Sequence, residues 1–254
     1  MTPASTSIAK LAKELDQRLR AESNPERKRF TEGYFPSSME NLGVAVPATR
    51  KLVAWLKREL KQSDGASAIE LVRAVLAQNT LEGRNTAYLF LNAHPAGLAA
   101  LERKLIEELG QGIDNWTSVD TFGCYVAGVA WREGKLPDAA LRAWTRSRDR
   151  WWRRLALVCT VALNLASRGG TGDPERTLMI CGELVSDHDD MVLKGMSWAL
   201  RSLGVRDPGA VQDFLERHDA ELHPRVLREV IHKLEFGRKT PRSKPAAGGL
   251  RKKA

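Results

Sequence analysis

Residues 149–219 read DRWWRRLALVCTVALNLASRGGTGDPERTLMICGELVSDHDDMVLKGMSWALRSLGVRDPGAVQDFLERHD, and the periodicity of this segment indicates the fold class. Apolar residues recur every three or four positions in the segments 149–167, 173–186, 189–204 and 208–219, which is the spacing of amphipathic helices. The dipeptides Asp173-Pro174 and Asp207-Pro208 combine a capping acid with a proline, so each of them marks a helix start. The segments therefore predict two successive helix pairs.

The rest of the chain has the same periodicity, and no segment alternates with period two. Further helices are predicted to begin near Ser5, Pro25, Pro47, Ala66, Leu81, Ala96, Asn115, Asp138 and Pro224. We predict an all-α fold in which antiparallel helix pairs stack into a HEAT-like helical-repeat solenoid, with a globular bundle as the alternative. Residues 1–236 are predicted to form a single domain. Residues 237–254, rich in proline, glycine and basic side chains, are predicted to be a disordered tail.

The positive charge is concentrated in two places. Of a formal net charge of +9, the tail 237–254 contributes seven cations, and residues 142–154 contribute six arginines against one acid, interleaved with three tryptophans. The remaining residues carry a net negative charge. Arginine guanidinium groups together with exposed faces of tryptophan indole rings are typical of a surface that binds a polyanion such as DNA. For the arginine run by itself, a solvated helix face with tryptophan in the core is the simpler interpretation.

Several function classes find no support in the sequence. No apolar run approaches the length of about 20 residues that a membrane span requires, and no secretory signal is visible. Cys124, Cys159 and Cys181 lie in apolar helical stretches and are predicted to be reduced and buried. The five histidines lack metal-ligand spacing, and a phosphate-binding loop is missing. We therefore expect a cytoplasmic protein, monomeric, without metal or cofactor and without membrane contact.

Helical projection at about 100° per residue separates core from exposed groups. In the helix from Asn115, one face carries the apolar residues Val119, Phe122, Val126 and Val129. Another face carries Trp116, Asp120, Gly123 and Ala127. The indole and the carboxylate are neighbours on this face, and the two small residues that follow are expected to leave space beside them. A surface aspartate near a helix start would explain Asp120 equally simply.

The helices from Asp149 and Asp189 carry the other candidates. Arg148 and Arg153 lie in the basic stretch, and Arg154 borders the apolar stripe, so its guanidinium could reach into a groove or form a structural salt bridge. In the second helix Val192, Met196, Ala199 and Leu203 form the core face. Trp198 projects to the opposite side with Lys194 and Arg201 as its neighbours. A large aromatic residue there serves either a ligand or a stacked neighbouring repeat.

An ordered set of short motifs resembles the DNA alkylation repair glycosylases of the AlkD-like, HEAT-repeat family. The resemblance covers roughly residues 24–235. Its motifs are Asn24-Pro-Glu-Arg27, Tyr34-Phe-Pro36, the segment 41–51 (NLGVAVPATRK), Asn115-Trp-Thr-Ser-Val-Asp120, Trp151-Trp-Arg-Arg-Leu-Ala156 and Lys194-Gly-Met-Ser-Trp-Ala-Leu-Arg201. It implies a superhelix whose concave face holds duplex DNA.

The resemblance also implies an activity, which is hydrolysis of the N-glycosidic bond of cationic alkylated purines in duplex DNA. By this resemblance Asp120, Trp116 and Trp198 are the catalytic candidates, and Arg154 and Tyr34 contact DNA. We expect Arg153, Arg148, Lys194 and Arg201 to contribute further DNA contacts. Thr117 departs from the family pattern, because an acidic residue often follows the tryptophan there. The alternative is a non-catalytic helical-repeat protein that binds branched or damaged DNA, or a protein-interaction scaffold.

Overall fold

The structure is a computed structural model that describes residues 3–240, with side chains from Ser7 onward. The first helices are α1 (Pro3–Ala21), α2 (Pro25–Tyr34), α3 (Val46–Glu59), α4 (Gly65–Leu76), α5 (Leu81–Asn92), α6 (Pro95–Ala99) and α7 (Arg103–Leu109). They continue with α8 (Trp116–Phe122), a π-helical turn (Gly123–Ala127), α9 (Gly128–Arg132), α10 (Asp138–Thr145), α11 (Arg150–Asn164) and a 3-10 turn (Ala166–Arg168). The last are α12 (Pro174–Glu183), α13 (Asp190–Leu203), α14 (Pro208–Arg217) and α15 (Pro224–Phe236).

The helix starts follow from local chemistry that the sequence displays. The side chains of Asn24, Asp64, Asn115, Asp173 and Asp207 each accept a hydrogen bond from a backbone N–H of the first helical turn. Such caps satisfy donors that a helix start would otherwise leave unpaired. Prolines occupy the first turn of α2, α12, α14 and α15, where the missing N–H costs nothing. The predicted helix starts are confirmed at these positions.

The helices pack in two layers. Helices α3, α5, α8, α11, α13 and α15 form a row in which each contacts the next, and we call this row the inner layer. Helices α10, α12 and α14 follow one another on the other side, each joined by a short turn to an inner helix. Consecutive inner helices begin at Arg150, Asp190 and Pro224. The all-α helical-repeat fold is thus confirmed, and within residues 3–240 the closest approach to a strand is an isolated bridge between Glu40 and Thr80. The assignment to the HEAT type stays a prediction.

Helix α11 is the centre of the molecule. From Arg154 to Asn164 every residue is buried, and α11 contacts α8, the π-helical turn, α9, α10, α12 and α13. The polar side chains of Thr160 and Asn164 are buried too. The side-chain amide of Asn164 donates to the Oγ1 of Thr177 over 2.8 Å and accepts from the backbone N–H of Asp173 over 3.0 Å. These buried polar groups are satisfied within the helix stack.

Two expectations about local structure need correction. The sequence predicted one continuous helix from Asn115, but the chain passes through the π-helical turn Gly123–Ala127 before it resumes as α9. Helix α7 was not predicted, because its seven residues are too short for periodicity to distinguish them. The three cysteines are free and buried, as predicted.

Candidate functional site

A cleft of about 720 Å³ lies on the inner layer, between the N-terminal helices and α8 with α13. Four of the residues singled out in the sequence line it together: Tyr34, Trp116, Asp120 and Trp198. They come from α2, α8 and α13, so the fold brings to one place residues that are up to 164 positions apart in the chain. The cleft also contains apolar side chains of α3 and α5, among them Val46, Val53 and Leu89.

Aromatic rings form one wall of the cleft. The ring of Trp116 meets Tyr34 and Phe35 edge-on, at centroid distances of 6.2 and 5.6 Å, and Phe30 stacks on Tyr34 at 6.2 Å. Such edge-to-face pairs hold rings in a definite orientation. Phe30 and Tyr34 are nevertheless 74% and 67% exposed, which is unusual for large aromatic side chains. The wall therefore offers flat apolar surface to something outside the protein's own core.

The loop that follows Phe35 is tied by hydrogen bonds to the start of α8. The carboxylate of Asp114 accepts hydrogen bonds from the Ser37 hydroxyl over 2.6 Å, from the Ser38 backbone N–H, and from the Asn115 side chain over 3.2 Å. These hydrogen bonds, opposed by partial burial, leave the pKa of Asp114 below its ordinary value. Because the loop follows Tyr34 and Phe35 directly, this clamp fixes their position relative to Trp116.

Asp120 is held by a buried arginine. The guanidinium of Arg154 donates through Nε and Nη2 to the two carboxylate oxygens of Asp120 over 3.0 and 2.9 Å. Its Nη1 donates to the backbone carbonyl of Met191 over 2.6 Å. Arg154 is only 5% exposed and lies beneath the cleft rather than on it. The expectation that its guanidinium reaches into an open groove is therefore wrong, because α11 is enclosed by α8 and α13 at this point.

The charge state of Asp120 results from two opposing effects. Burial raises the pKa of the Asp120 carboxyl above its ordinary value, while the charge and the hydrogen bonds of Arg154 oppose the rise. A bidentate pair with arginine also fixes the plane of the carboxylate. The adjacent Cys124 thiol, whose pKa burial raises to about 12, remains neutral. Asp120 is thus a positioned carboxylate at the boundary between the cleft and the core.

The space expected beside Asp120 is filled. Gly123 and Ala127 were expected to leave room on the face of Trp116 and Asp120, but both are buried. A Cβ atom on Gly123 would lie 2.7 Å from the Cγ1 of Val158 in α11. Helix α11 packs directly on this turn, so this face of the helix is covered as well as the predicted core face. The two small residues therefore permit close packing of α8 against α11.

Trp198 reaches the cleft from α13. It is half-buried, whereas Val192, Met196, Ala199 and Leu203 are buried as predicted. Its cationic neighbours are already engaged. Lys194 pairs with Asp190 at 2.8 Å, and Arg201 donates through Nε to the Ser197 hydroxyl over 3.1 Å. Neither of them lines the cleft.

The arginines of the stretch 142–154 mostly form ion pairs within the protein. Glu183 pairs with Arg142 and Arg146, Asp189 with Arg150, Asp187 with Arg153, and Asp120 with Arg154. Arg153 also donates to the backbone carbonyls of Ser147 and Arg148 over 2.9 and 3.1 Å. Arg148 is exposed and lies outside the cleft lining. Five of the six arginines therefore form ion pairs within the protein, with acids of α8 and of the segment from α12 to α13.

Three arginines that line the cleft were not singled out in the sequence: Arg27, Arg50 and Arg168. Arg27 and Arg50 are exposed, and Arg168 lies over the ring of Tyr125 with its Cζ 4.1 Å from the ring centroid. Arg27 and Arg50 stand within the motifs 24–27 and 41–51, so the motifs themselves contained a signal. Arg168 stands in a glycine-rich connection, where periodicity gives no orientation.

The architecture is that of a helical-repeat protein whose inner layer bears an aromatic cleft with a single positioned aspartate. A model of the DNA alkylation repair enzyme family matches residues 15–234, and the chain belongs to that family. A solved structure described as a predicted DNA alkylation repair enzyme from Enterococcus faecalis has a TM-score of 0.66 and 16% sequence identity, over 85% of this chain and 98% of that chain. This likeness shows a shared fold. Among curated proteins no match was found.

Two further observations concern metals and membranes. Among the residues that the structure describes, no three His, Cys, Asp or Glu side chains lie close enough together to hold a metal ion. No helix in the described part of the chain combines the length and the apolar character that crossing a membrane demands.

Proposed function

We propose that the chain is a DNA glycosylase that hydrolyses the N-glycosidic bond of cationic alkylated purines, N3-alkyladenine and N7-alkylguanine, in duplex DNA. Membership of the DNA alkylation repair enzyme family supports a role in repair of alkylated DNA. The observation that carries the finer proposal is that Asp120, Trp116 and Trp198 line one cleft. A carboxylate beside flat aromatic faces suits a reaction in which positive charge develops on a sugar next to a planar base.

The chemistry follows from the leaving group. An alkylated purine of this class carries a formal positive charge, so it takes the electrons of the glycosidic bond and departs as a neutral base. The deoxyribose is left as an oxocarbenium-like cation, to which water adds, and the proton of that water is released. Asp120 would stabilise the sugar cation and orient the water, and preorganised charge of this kind contributes about 3–4 kcal/mol. The products are the free base and an abasic site.

The indoles contribute attraction to the charged base. Trp116 and Trp198 would present π faces to the deoxyribose and the cationic purine, and desolvated cation–π contacts contribute about 1–2 kcal/mol. The exposed rings of Tyr34 and Phe30 extend this surface along the cleft. Arg148, Lys194 and Arg201 remain predicted contacts to phosphates, and Lys194 and Arg201 would have to leave Asp190 and Ser197 for this.

Arg154 and Arg153 take different roles in this proposal from those that the sequence indicated. Arg154 orients Asp120 through the bidentate pair and is a positioning residue. Arg153 holds the connection before α11 to Asp187 over 2.7 Å. Both guanidiniums are engaged inside the protein, so phosphate binding by either one requires breaking an ion pair.

Which lesions are accepted follows from what the cleft offers. The second carboxylate in the cleft lining, Glu82, accepts from the backbone N–H groups of Leu42 and Val44 over 2.9 and 3.0 Å, so both of its oxygens are engaged within the protein. The described lining contains no histidine. A neutral base such as uracil needs a general acid to depart, whereas a cationic purine does not.

The proposal is tested by incubating the purified protein with duplexes that contain N7-methylguanine, N3-methyladenine, uracil or hypoxanthine, and by identifying released bases chromatographically. We expect release of the two methylated purines and of neither neutral base. The same methylated duplexes incubated without protein are the control for spontaneous loss. Failure to release either methylated purine from a duplex that the protein binds would contradict the glycosylase assignment and favour a non-catalytic DNA-binding role. Efficient release of uracil would reveal a general acid and contradict the mechanism.

A further inference from the structure

The charged side chains that line the cleft are five: Arg27, Arg50, Glu82, Asp120 and Arg168. The two acids are satisfied by the protein, since Arg154 pairs with Asp120 and backbone N–H groups bind Glu82. No acid neutralises the three arginines in the part of the chain that the structure describes. The cleft therefore has uncompensated positive charge, although most of the conspicuous arginine stretch has been neutralised elsewhere.

Arg168 is held in place more firmly than its position in a connection suggests. The guanidinium of Arg132 donates to the backbone carbonyls of Ala162 and Arg168 over 2.9 and 2.6 Å. Gly169 follows with φ +77°, and its N–H closes the turn on the carbonyl of Ala166 over 2.9 Å. Arg206 then fastens the next residues by donating to the carbonyl of Gly170 over 2.9 Å.

The side chain of Arg168 is presented to the cleft without a counter-ion. Its Cζ lies 4.1 Å from the centroid of the Tyr125 ring, and Tyr125 itself lines the cleft. Its Nε is buried and has no hydrogen-bond partner in the described structure. A guanidinium that is oriented by an aromatic face and has no anion beside it suits an anionic ligand.

Arg27 and Arg50 stand on other walls of the same cleft. Arg27 lies in the first turn of α2, and Arg50 lies in α3. Both are exposed, and within residues 3–240 neither side chain has an ion pair or a hydrogen bond. Three cations from three separate elements, none of them paired with an acid in the described residues, thus face a cleft lined by aromatic rings. Since the ligand of the proposed function is a duplex, its regularly spaced phosphates are the anions that such a set would meet.

We propose that Arg27, Arg50 and Arg168 are the phosphate-binding residues of the cleft, and that they hold the DNA backbone around the lesion. This inference rests on the proposed function for the identity of the ligand. It assigns to these three the role that the sequence had given to Arg154 and Arg153.

The test measures binding of undamaged duplex to the full-length protein by fluorescence anisotropy over a range of salt concentrations. The salt slope is the slope of the logarithm of the binding constant against the logarithm of the salt concentration. Each of the variants Arg27→Gln, Arg50→Gln and Arg168→Gln is expected to weaken binding and to reduce the magnitude of this slope by about 0.9, the value for one phosphate contact in duplex DNA. The triple variant should reduce it by about three times that amount. Arg168→Lys, which keeps the charge, should retain most of the slope.

A matched control is Arg103→Gln, which removes an exposed arginine of α7 that pairs with Glu107 and does not line the cleft. Its slope should equal that of the wild type. Melting temperatures of all variants are measured alongside and should change little, because the three cleft arginines make no ion pair in the described residues. Slopes within error of the wild type for all three single variants and the triple variant would overturn the inference.

The outcome is separable from that of the proposed function, because base release is measured on the same proteins. Release by the wild type together with unchanged slopes would refute the phosphate assignment and leave the glycosylase proposal intact. Reduced slopes without any base release would do the opposite. A wild-type protein that binds no duplex would refute both.

Discussion

At the scale of single residues, the ion pair of Asp120 and Arg154 fixes the position of the carboxylate in the cleft. The arginine lies deeper than the aspartate, with side-chain exposures of 6% and 18%. A buried ion pair adds little net stability compared with apolar residues of similar volume. Removal of one partner, however, leaves an unpaired charge in the core. The two residues should therefore respond to mutation as a unit rather than independently.

Arg154→Ala is expected to destabilise the protein by about 3–5 kcal/mol, because it leaves Asp120 buried without its partner. Thermal unfolding followed by circular dichroism measures the effect. The salt slope of duplex binding should not change, since the guanidinium does not face the cleft. Arg153→Ala, which removes the more exposed pair with Asp187, is the control and should cost less. A slope reduced by about one at an unchanged melting temperature would identify Arg154 as a phosphate ligand instead.

The pH dependence of base release provides a second test at this scale. In the proposed mechanism Asp120 is ionised when it stabilises the sugar cation, and burial raises its pKa above the ordinary value of an aspartate. Activity should therefore fall on the acid side at a higher pH than an exposed aspartate would give. Arg154→Ala removes the group that opposes the rise, so the acid limb should move to still higher pH. An acid limb that is the same in both proteins would show that another group titrates.

The π-helical turn is the decisive feature at the scale of elements. It lies between α8, which carries Trp116 and Asp120, and α9, and it packs directly on α11. Gly123 permits this contact, because an added Cβ would lie 2.7 Å from Val158. Single π-helical turns are frequent at functional sites. Here the turn follows α8 directly and lies on α11, beside the pair of Asp120 and Arg154.

Gly123→Ala is expected to destabilise the protein by about 1–3 kcal/mol through overpacking, and to reduce base release by displacing α8 from α11. Gly182→Ala in α12 is a suitable control, since the nearest atom to its added Cβ is a carbon of Phe214 at 4.0 Å. That variant should be neutral or stabilising by up to about 1 kcal/mol, because alanine favours helix. Melting temperature and single-turnover release rates measure both variants. Equal behaviour of the two would contradict the role given to the turn.

The elements also show which sequence predictions are reliable. Capping acids and prolines fix helix starts locally, so Asp173 and Asp207 were correctly placed. The core faces of α8 and α13 follow from regular helical spacing and are confirmed. After Phe122 the predicted core residues Val126 and Val129 are buried as expected, whereas the face of Gly123 and Ala127, which was expected to be open, is buried too.

Charge was the least predictable property of the site. The side chains of Arg154 and Asp120 are 34 positions apart, and those of Arg153 and Asp187 are also 34 apart. Nothing in a linear sequence shows that such groups meet, so a run of arginines resembled a binding surface. Arg168, conversely, lines the cleft but was not singled out in the sequence, because its contact with Tyr125 depends on the path of an irregular connection.

At the scale of the whole molecule, the last described residues are held to helix α15. Lys239 pairs with the carboxylate of Glu229 at 3.2 Å, and His232 contacts the carbonyl of Arg238 at 2.7 Å through its Nδ1. The predicted tail boundary at residue 237 is therefore early for these contacts, whereas residues 241–254 lie outside the described residues. Residues 1–236 as a single domain, the monomeric state and the cytoplasmic location remain predictions.

Truncation after Thr240 is expected to preserve the melting temperature and base release while it weakens non-specific DNA binding, because it removes five cations. Truncation after Phe236 should also preserve folding, with a slightly lower melting temperature because Glu229 loses Lys239. The full-length protein with its five terminal cations replaced by glutamine is the control for charge, and it should bind as the Thr240 truncation does. Loss of base release in either truncation would make the tail part of the active unit.

Asp120 is proposed to perform the chemistry of the cleft, and the variant Asp120→Asn tests this role. The asparagine keeps the shape of the side chain and an oxygen that accepts from Arg154, but it removes the charge that stabilises the sugar cation. The measurement is the single-turnover rate of N7-methylguanine release from duplex DNA, at a temperature where circular dichroism shows that both proteins are folded. We predict a rate lower by a factor of about 10²–10³ with duplex affinity unchanged or slightly higher. A rate equal to that of the wild type would contradict the account.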